Sequence, residues 1–278
     1  MLVGPGDDAA AVRAARRPLL FTTDSLIEGI HFRRGWETWA GLGRRAFTVN
    51  ASDVAAMGGV PRYALLALEI PGGTPVAEID ALVAGFAGAA RRTGARLIGG
   101  NVAGGPHLAI TVALVGEAPG RVITRGGARP GDVLFVTGNL GATGIAVRSL
   151  TAGRHGRLPA LPLRVRAGVL LARVAHAMID VSDGLSTDLS HILDESNVSA
   201  RIFPDRIPAS DGAGVDDVLH GGEDYELLIV APSLPAQIEG VPLTRIGEIV
   251  PSVADNRIVR ISGGGETVLQ PRGFEHFR

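Results

Sequence analysis

The chain has 278 residues, 46% hydrophobic and 20% charged, enough for two domains of ordinary size around a sizeable core. It contains no Cys, and all 27 basic residues are Arg, which excludes disulfides, thiolate nucleophiles, Cys-ligated zinc, Schiff bases, the P-loop GxxxxGK[ST] and the strand lysine of protein kinases. A net charge of −1 with 4% aromatics leaves no basic stripe for nucleic acid, no apolar run approaches the roughly 18 residues of a membrane span, and no signal-peptide pattern follows Met1, so a cytoplasmic protein without nucleic-acid or membrane partners is expected.

In chain order, Leu19–Asp24 and Tyr63–Ile70 read as strands, being rich in apolar and β-favouring residues. Thr74 reads as an N-cap with Pro75 at the first helical position. Val76, Ile79, Leu82, Val83 and Phe86 then repeat at helical spacing to about Arg92. Arg96–Val102 and Leu108–Glu117 are two more strands. Ala118–Pro130, rich in Gly, Pro and Arg, marks the expected boundary between domains at 1–120 and 121–278.

Beyond it, Asp132–Thr137 is a strand, and Gly138–Gly141 a turn into a helix ending near Leu150. A loop over Thr151–Pro162 precedes a helix over roughly Arg164–His176. Ala177–Val181 is a strand, and Leu185, Leu189, Ile192 and Leu193 mark one helix face. Glu226–Val230, Leu243–Ile246 and Arg257–Ile261 are the later strands. Helices mixed with strands in no regular βαβ array predict α+β domains, and no GxGxxG opens a helix after a strand. The 39 Gly residues have no fixed period, which predicts tight turns and close backbone approaches.

The acids are placed unevenly. Asp7-Asp8, Asp24, Asp53, the pair Asp180 and Asp183, and Glu223-Asp224 fall at expected strand ends or turns beside Gly, Ser or Thr. Such carboxylates gather only if cations lie between them or their pKa values rise. Hard divalent cations with oxygen ligands, above all Mg²⁺ bridging carboxylates and phosphates, fit that pattern, and Arg supplies phosphate contacts without Lys. Any single Asp before Gly also reads as a turn residue, and Asp183 as a helix N-cap. Asp211, Asp216, Asp217 and Asp255 read as surface or turn residues. The residues alone thus point to a Mg²⁺-dependent enzyme handling a phosphorylated substrate.

The set also resembles a known family. GPGDDAAAV (4–12), FTTDSLIEGIHF (21–32), VNASDVAAMGGVPRYALLAL (49–68), LIGGNVAGGP (97–106), TRGGARPGDVLFVTGNLG (124–141), AMIDVSDGLSTDLSHIL (177–193), GGEDYELL (221–228) and GFEHF (273–277) are similar, in order, to the thiamine-monophosphate kinases. These belong to the superfamily of aminoimidazole ribonucleotide synthase and selenophosphate synthetase. TTDxxxEGxHF and the terminal GFEHF are specific to this kinase within it.

The resemblance implies direct in-line transfer from ATP to thiamine phosphate, with no phosphoenzyme and no covalent catalytic residue. It implies a two-domain α+β fold like that of aminoimidazole ribonucleotide synthase, with N-terminal sheets pairing across a homodimer. The N-terminal domain would carry ATP- and Mg²⁺-binding acidic motifs, and the C-terminal domain would complete the nucleotide and substrate site. By motif position, Asp8, Asp24, Asp53, Asp180 and Asp183 would ligate several Mg²⁺ ions, with Asn101 as a neutral ligand among them. Thr22 and Thr23 would add oxygen ligands, one through its backbone, and Asp7 stands close enough to be a further ligand. Gly100, Asn101, Arg125 and Ser182 would contact ATP; His31, Glu223 and Phe274 would line the thiamine phosphate site. His31 reads equally as a structural hydrogen-bonding histidine.

Two departures stand out. The family's usual GGDTTRG is GGNVAGG here, so Asn101 offers a neutral oxygen where an acid is usual. The GDDA motif also begins at Gly6, where members carry a helical segment first, which implies a truncated or misassigned start. The substitution motivates two alternatives: a superfamily relative acting on another phosphorylated substrate, and a non-catalytic nucleotide or thiamine phosphate binder.

Overall fold

The computed structural model describes residues 12, 14, 16–252, 257–263 and 265–273. The expectations for Asp7, Asp8, Asp255 and Phe274 lie outside them. The chain divides into two compact units, one of Met1–Val54 with Gly59–Pro119, the other of Ala55–Gly58 with Gly120–Arg278.

Unit 1 is a four-stranded sheet backed by two helices. Its strands are β1 (Leu19–Ile27), β2 (Val60–Ile70), β3 (Arg96–Gly104) and β4 (Ala109–Glu117), in the order β1-β4-β2-β3. β4 is antiparallel to β1 and β2, and β2 is parallel to β3. Helix α2 (Val76–Thr93) makes that parallel crossover, as parallel neighbours require. Its expected apolar stripe is buried at Leu82 and Phe86, and it ends at Gly94 in the left-handed conformation, φ 81°. The cap Thr74 was expected to supply is made differently. Pro75 is the N-cap, and the Thr74 hydroxyl donates to Pro71 O at 2.8 Å.

Helix α1 (Trp39–Ala56) has no counterpart in the sequence reading. It crosses α2 closely enough that a Cβ on Gly43 would lie 1.9 Å from Leu82 O, and one on Gly85 2.1 Å from Ala40 O. Beside this contact, the rings of Phe47 and Phe86 meet edge to face at 5.4 Å. The opposite sheet face carries Phe21, 74% exposed, and Leu65, 46% exposed.

Unit 2 is an eight-stranded sheet of β5 (Val133–Thr137), β6 (Ala177–Asp180), β7 (Val198–Ile202), β8 (Leu227–Ala231), β9 (Gln237–Ile238), β10 (Val241–Pro251), β11 (Ile258–Ser262) and β12 (Gly265–Leu269). The order is β12-β11-β7-β10-β5-β8-β6, with β9 on β10. Both faces are covered. On one, Leu185, Leu189, Ile192 and Leu193 of α5 (Leu185–Ser196), with Val218 and Leu219 of α6 (Val215–His220), pack on Leu134, Val136, Ile179 and Leu228. On the other, Ala167 and Leu171 of α4 (Val165–Leu171) pack on Phe135, Met178, Leu227 and Ile229. Central strands are therefore apolar on both sides, which explains the unbroken run in β5. Helix α3 (Ala142–Thr151) follows β5, and α4 is shorter than the predicted span. Among the described residues no helix is long and apolar enough to cross a membrane.

Candidate functional site

In unit 1 the strand period sorts the motif of β1. Leu20 and Leu26 are buried, and Thr22 and Asp24, at the same parity, share their face. Thr22 Oγ1 donates to Asp53 Oδ2 at 2.5 Å. Thr23 points to the other face, where its hydroxyl donates to Val112 O at 2.9 Å.

Asp53 corrects an expectation: it sits in the last turn of α1, not at a strand end or turn. A carboxylate there faces the negative end of the helix dipole, a placement that calls for a hydrogen-bond donor or a cation. Thr22 is that donor. His31 follows β1, and its Nδ1 accepts the Ile27 N–H at 3.1 Å, so the ring carries its proton on Nε2 when neutral.

Gly100 and Asn101 lie on β3, the edge opposite β1. A Cβ at Gly100 would sit 1.9 Å from Leu66 O, so strand packing already demands this glycine. Asn101 is exposed and pairs with Ala67. Three strand spacings separate it from β1, about 14 Å, so within one chain Asn101 does not join Thr22, Asp24 and Asp53.

In unit 2 the acids converge. Asp180 ends the edge strand β6 and is buried. Ser182, Asp183 and Gly184 form the turn into α5. Asp183 is not the N-cap; Gly184 is, with no side-chain cap bond. The turn is held from inside the helix, by a residue the sequence reading did not single out. Asp188, 1% exposed, takes the N–H groups of Ser182, Asp183 and Gly184 on its Oδ2 at 3.0, 3.1 and 3.1 Å. Burial pushes the Asp188 carboxyl up to about 8, Asp180 and Asp183 add to the rise, and the loop N–H groups oppose it. Ligand atoms of Asp183, Asp188 and His191 lie within 4.8 Å of one another. The spacing from Asp183 to Asp188 across a Gly-initiated helix was the available signal.

A second loop is pinned onto this turn. Glu223 N donates to Ser182 O at 2.7 Å, Tyr225 N to Val181 O at 2.8 Å, and Val181 N to Glu226 O at 2.8 Å. Glu223 and Tyr225 are both left-handed, φ 52°, a strained geometry for residues with a Cβ that these bonds hold. Ser182, Asp183 and Glu223 are thus neighbours by construction.

Arg125 is exposed on a loop along β6. Met178 N donates to Thr124 O at 3.1 Å, and Ser196 Oγ takes the N–H groups of Gly127 and Ala128 at 3.1 Å each while donating to Arg125 O at 3.2 Å. Asp217, expected at the surface, is instead buried in α6. It pairs with Arg148 through two bonds and accepts the Gly214 N–H at 2.9 Å. Arg148 holds its carboxyl below the usual carboxylate range.

Residues 6–118 match the family model of the AIR synthase related protein N-terminal domain, and 129–259 that of the C-terminal domain. A thiamine-monophosphate kinase of Aquifex aeolicus is 33% identical over 98% of this chain and 92% of its own. One of Mycobacterium tuberculosis is 37% identical over 82% and 74%. The solved structure of AaThiL complexed with AMPPCP and TMP superposes with a TM-score of 0.84, at 31% identity over 98% of this chain and 91% of that one. The chain belongs to the thiamine-monophosphate kinase family of AIR synthase related proteins.

Proposed function

We propose that the protein transfers the γ-phosphoryl group of ATP to thiamine phosphate, forming thiamine diphosphate and ADP. The observation that carries this reading is the near full-length match to a structure complexed with AMPPCP and TMP. The acceptor phosphate is largely ionised at neutral pH, its second pKa being about 6. The chain therefore needs no strong general base, only positioning and charge neutralisation.

The donor sets fit Mg²⁺. Unit 1 offers Thr22, Asp24 and Asp53 around one hydrogen bond, and unit 2 offers Asp180 and Asp183 beside a carboxyl driven up by burial and, after it, by their charge. Bound Mg²⁺ would neutralise phosphate charge there. The backbone of the Ser182–Asp183 turn, held by Asp188, orients its two side chains toward the nucleotide. Arg125 faces phosphate oxygens from the β6 edge, while Gly100 and Asn101 bind the nucleotide from β3. His31 and Glu223 hold thiamine phosphate, with the strained loop fixing Glu223. Asp8 and Phe274 complete these sets from outside the described residues.

A homodimer belongs to the same reading: Phe21 and Leu65 on the uncovered sheet face are surface that a second copy would bury. The protein works in the cytoplasm, where ATP is its co-substrate.

Purified full-length chain given MgATP and thiamine phosphate should yield thiamine diphosphate and ADP in equal amounts. ADP without thiamine diphosphate, or no turnover at saturating substrates, would overturn the assignment.

A further inference from the structure

After β12 the chain runs back onto the first turn of α5. Leu269, the last residue of β12, packs against the core beneath that helix. Four residues on, a Cβ on Gly273 would lie 2.7 Å from Asp183 O and 2.3 Å from Thr187 Oγ1. The Asp183 carbonyl is backbone and gives little way, so the close approach calls for glycine. The segment thus rests on the Ser182–Asp183 turn itself, and the acidic motifs do not account for what holds it there.

Three side chains do. His220, half-buried at the end of α6, meets Ser186, buried in the first turn of α5, with 2.8 Å between Nδ1 and Oγ. Arg272 joins both. Its backbone N–H donates to Ser186 Oγ at 3.3 Å, and its Nη2 lies 3.4 Å from His220 Nε2. A guanidinium only donates, so Nε2 is the acceptor and carries no proton. Nδ1 then holds the ring proton and donates it to Ser186 Oγ. That hydroxyl accepts two bonds, one from α6 and one from the segment after β12.

The arrangement is consistent only with a neutral ring in this one tautomer. Burial, and after it the Arg272 charge, hold the His220 pKa below its ordinary value, with a smaller opposing pull from Asp216 on α6. The residue after Gly273 is Phe274, for which the family resemblance implies a place at thiamine phosphate. Pinning the backbone one residue earlier orders it before the ligand arrives, which lowers the entropy cost of binding.

We propose that Ser186, His220 and Arg272 are positioning residues: they latch the segment after β12 onto the Ser182–Asp183 turn and, through the residues that follow, tighten the hold on thiamine phosphate. The latch itself stands apart from the kinase reading; its effect on the substrate rests on that reading.

Two measurements on the full chain test the two halves. Nitrogen-15 spectra of labelled histidine at neutral pH, with the His220 signals identified by their loss in His220→Gln, should show the proton on Nδ1 and a bare Nε2. A proton on Nε2 overturns the latch. In steady-state kinetics, His220→Phe and Arg272→Ala, the latter at an exposed side chain, should each raise KM for thiamine phosphate by about fivefold or more, with kcat and KM for ATP within about twofold of wild type. His220→Gln places an amide oxygen where Nε2 accepted and should keep KM for thiamine phosphate within about twofold.

An unchanged KM for thiamine phosphate in both His220→Phe and Arg272→Ala overturns the positioning role. So does a loss spread equally over kcat and both KM values, which is the mark of a merely structural role. If His220→Phe does not fold, Arg272→Ala alone decides. A wild type that forms no thiamine diphosphate sinks the kinase reading and the substrate half of the proposal with it, while the tautomer still decides the latch.

Discussion

Replacing Asp224 by Asn should raise the stability of the unliganded protein, and by an amount that grows with pH. The folded protein holds a proton on this buried carboxyl up to about 7, whereas the ordinary value is 3.8. Because the folded state binds the proton more tightly, stability falls as pH rises from about 4 through about 7. Roughly three pH units at about 1.4 kcal/mol each set an upper limit near 4 kcal/mol. The amide keeps an acceptor for the Gly141 N–H and has no charge to bury.

Urea unfolding of wild type and Asp224→Asn, at steps from about pH 4.5 to about pH 8 and without thiamine phosphate, isolates the effect because other titrating groups cancel in the difference. The variant should gain about 2–4 kcal/mol on the wild type across that range. A difference constant to within about 0.5 kcal/mol would refute the reasoning.

Three further outcomes are expected. Asp188→Ala strips the acceptor from three backbone N–H groups, each worth about 1–3 kcal/mol if left unpaired; hydrogen exchange at Ser182, Asp183 and Gly184 should accelerate by orders of magnitude, and unchanged rates would exclude the clamp. Gly85→Val drives a Cβ toward Ala40 O, 2.1 Å from where it would stand, so α1 must part from α2; a melting midpoint equal to wild type would show that the crossing yields. Phe21→Glu puts a charge on the uncovered sheet face, and light scattering should give about twice the 28.7 kDa chain mass for wild type and the single mass for the variant; a wild-type monomer at micromolar concentration would end the homodimer proposal.

Apart from β7, β9 and β12, where the sequence marks no strand, the strands and α2 were legible: apolar and β-favouring residues in β1, and apolar spacing on α2 with one exposed face. Helix α1 was not. Leu42, Phe47, Val49, Val54 and the polar Arg45, Thr48, Asn50 and Ser52 are all buried. A helix covered nearly all round shows no stripe, and Gly41 and Gly43 within it imitate a turn. That is why the sequence places Asp53 at a strand end or turn rather than in a helix.

Ser182, Asp183 and Glu223 stand out by motif, and the structure brings them together on one turn and its neighbouring loop. Asp188 does not, because it lies inside a helix whose sequence signal is its apolar face. Its burial gives it the hold on that turn, and no local spacing shows burial.

The nine-residue pairing of β1 with β4 makes the strand a page printed on both sides. Thr22 and Asp24 face the helices, and Phe21 and Thr23 face outward. A slip of one residue would turn the acid outward and drive the aromatic ring toward α1. Insertions and deletions are therefore closed to this strand in evolution and in engineering, whereas substitutions on either side remain separable. The two surfaces can drift in sequence independently, yet they share a single register and would be lost together.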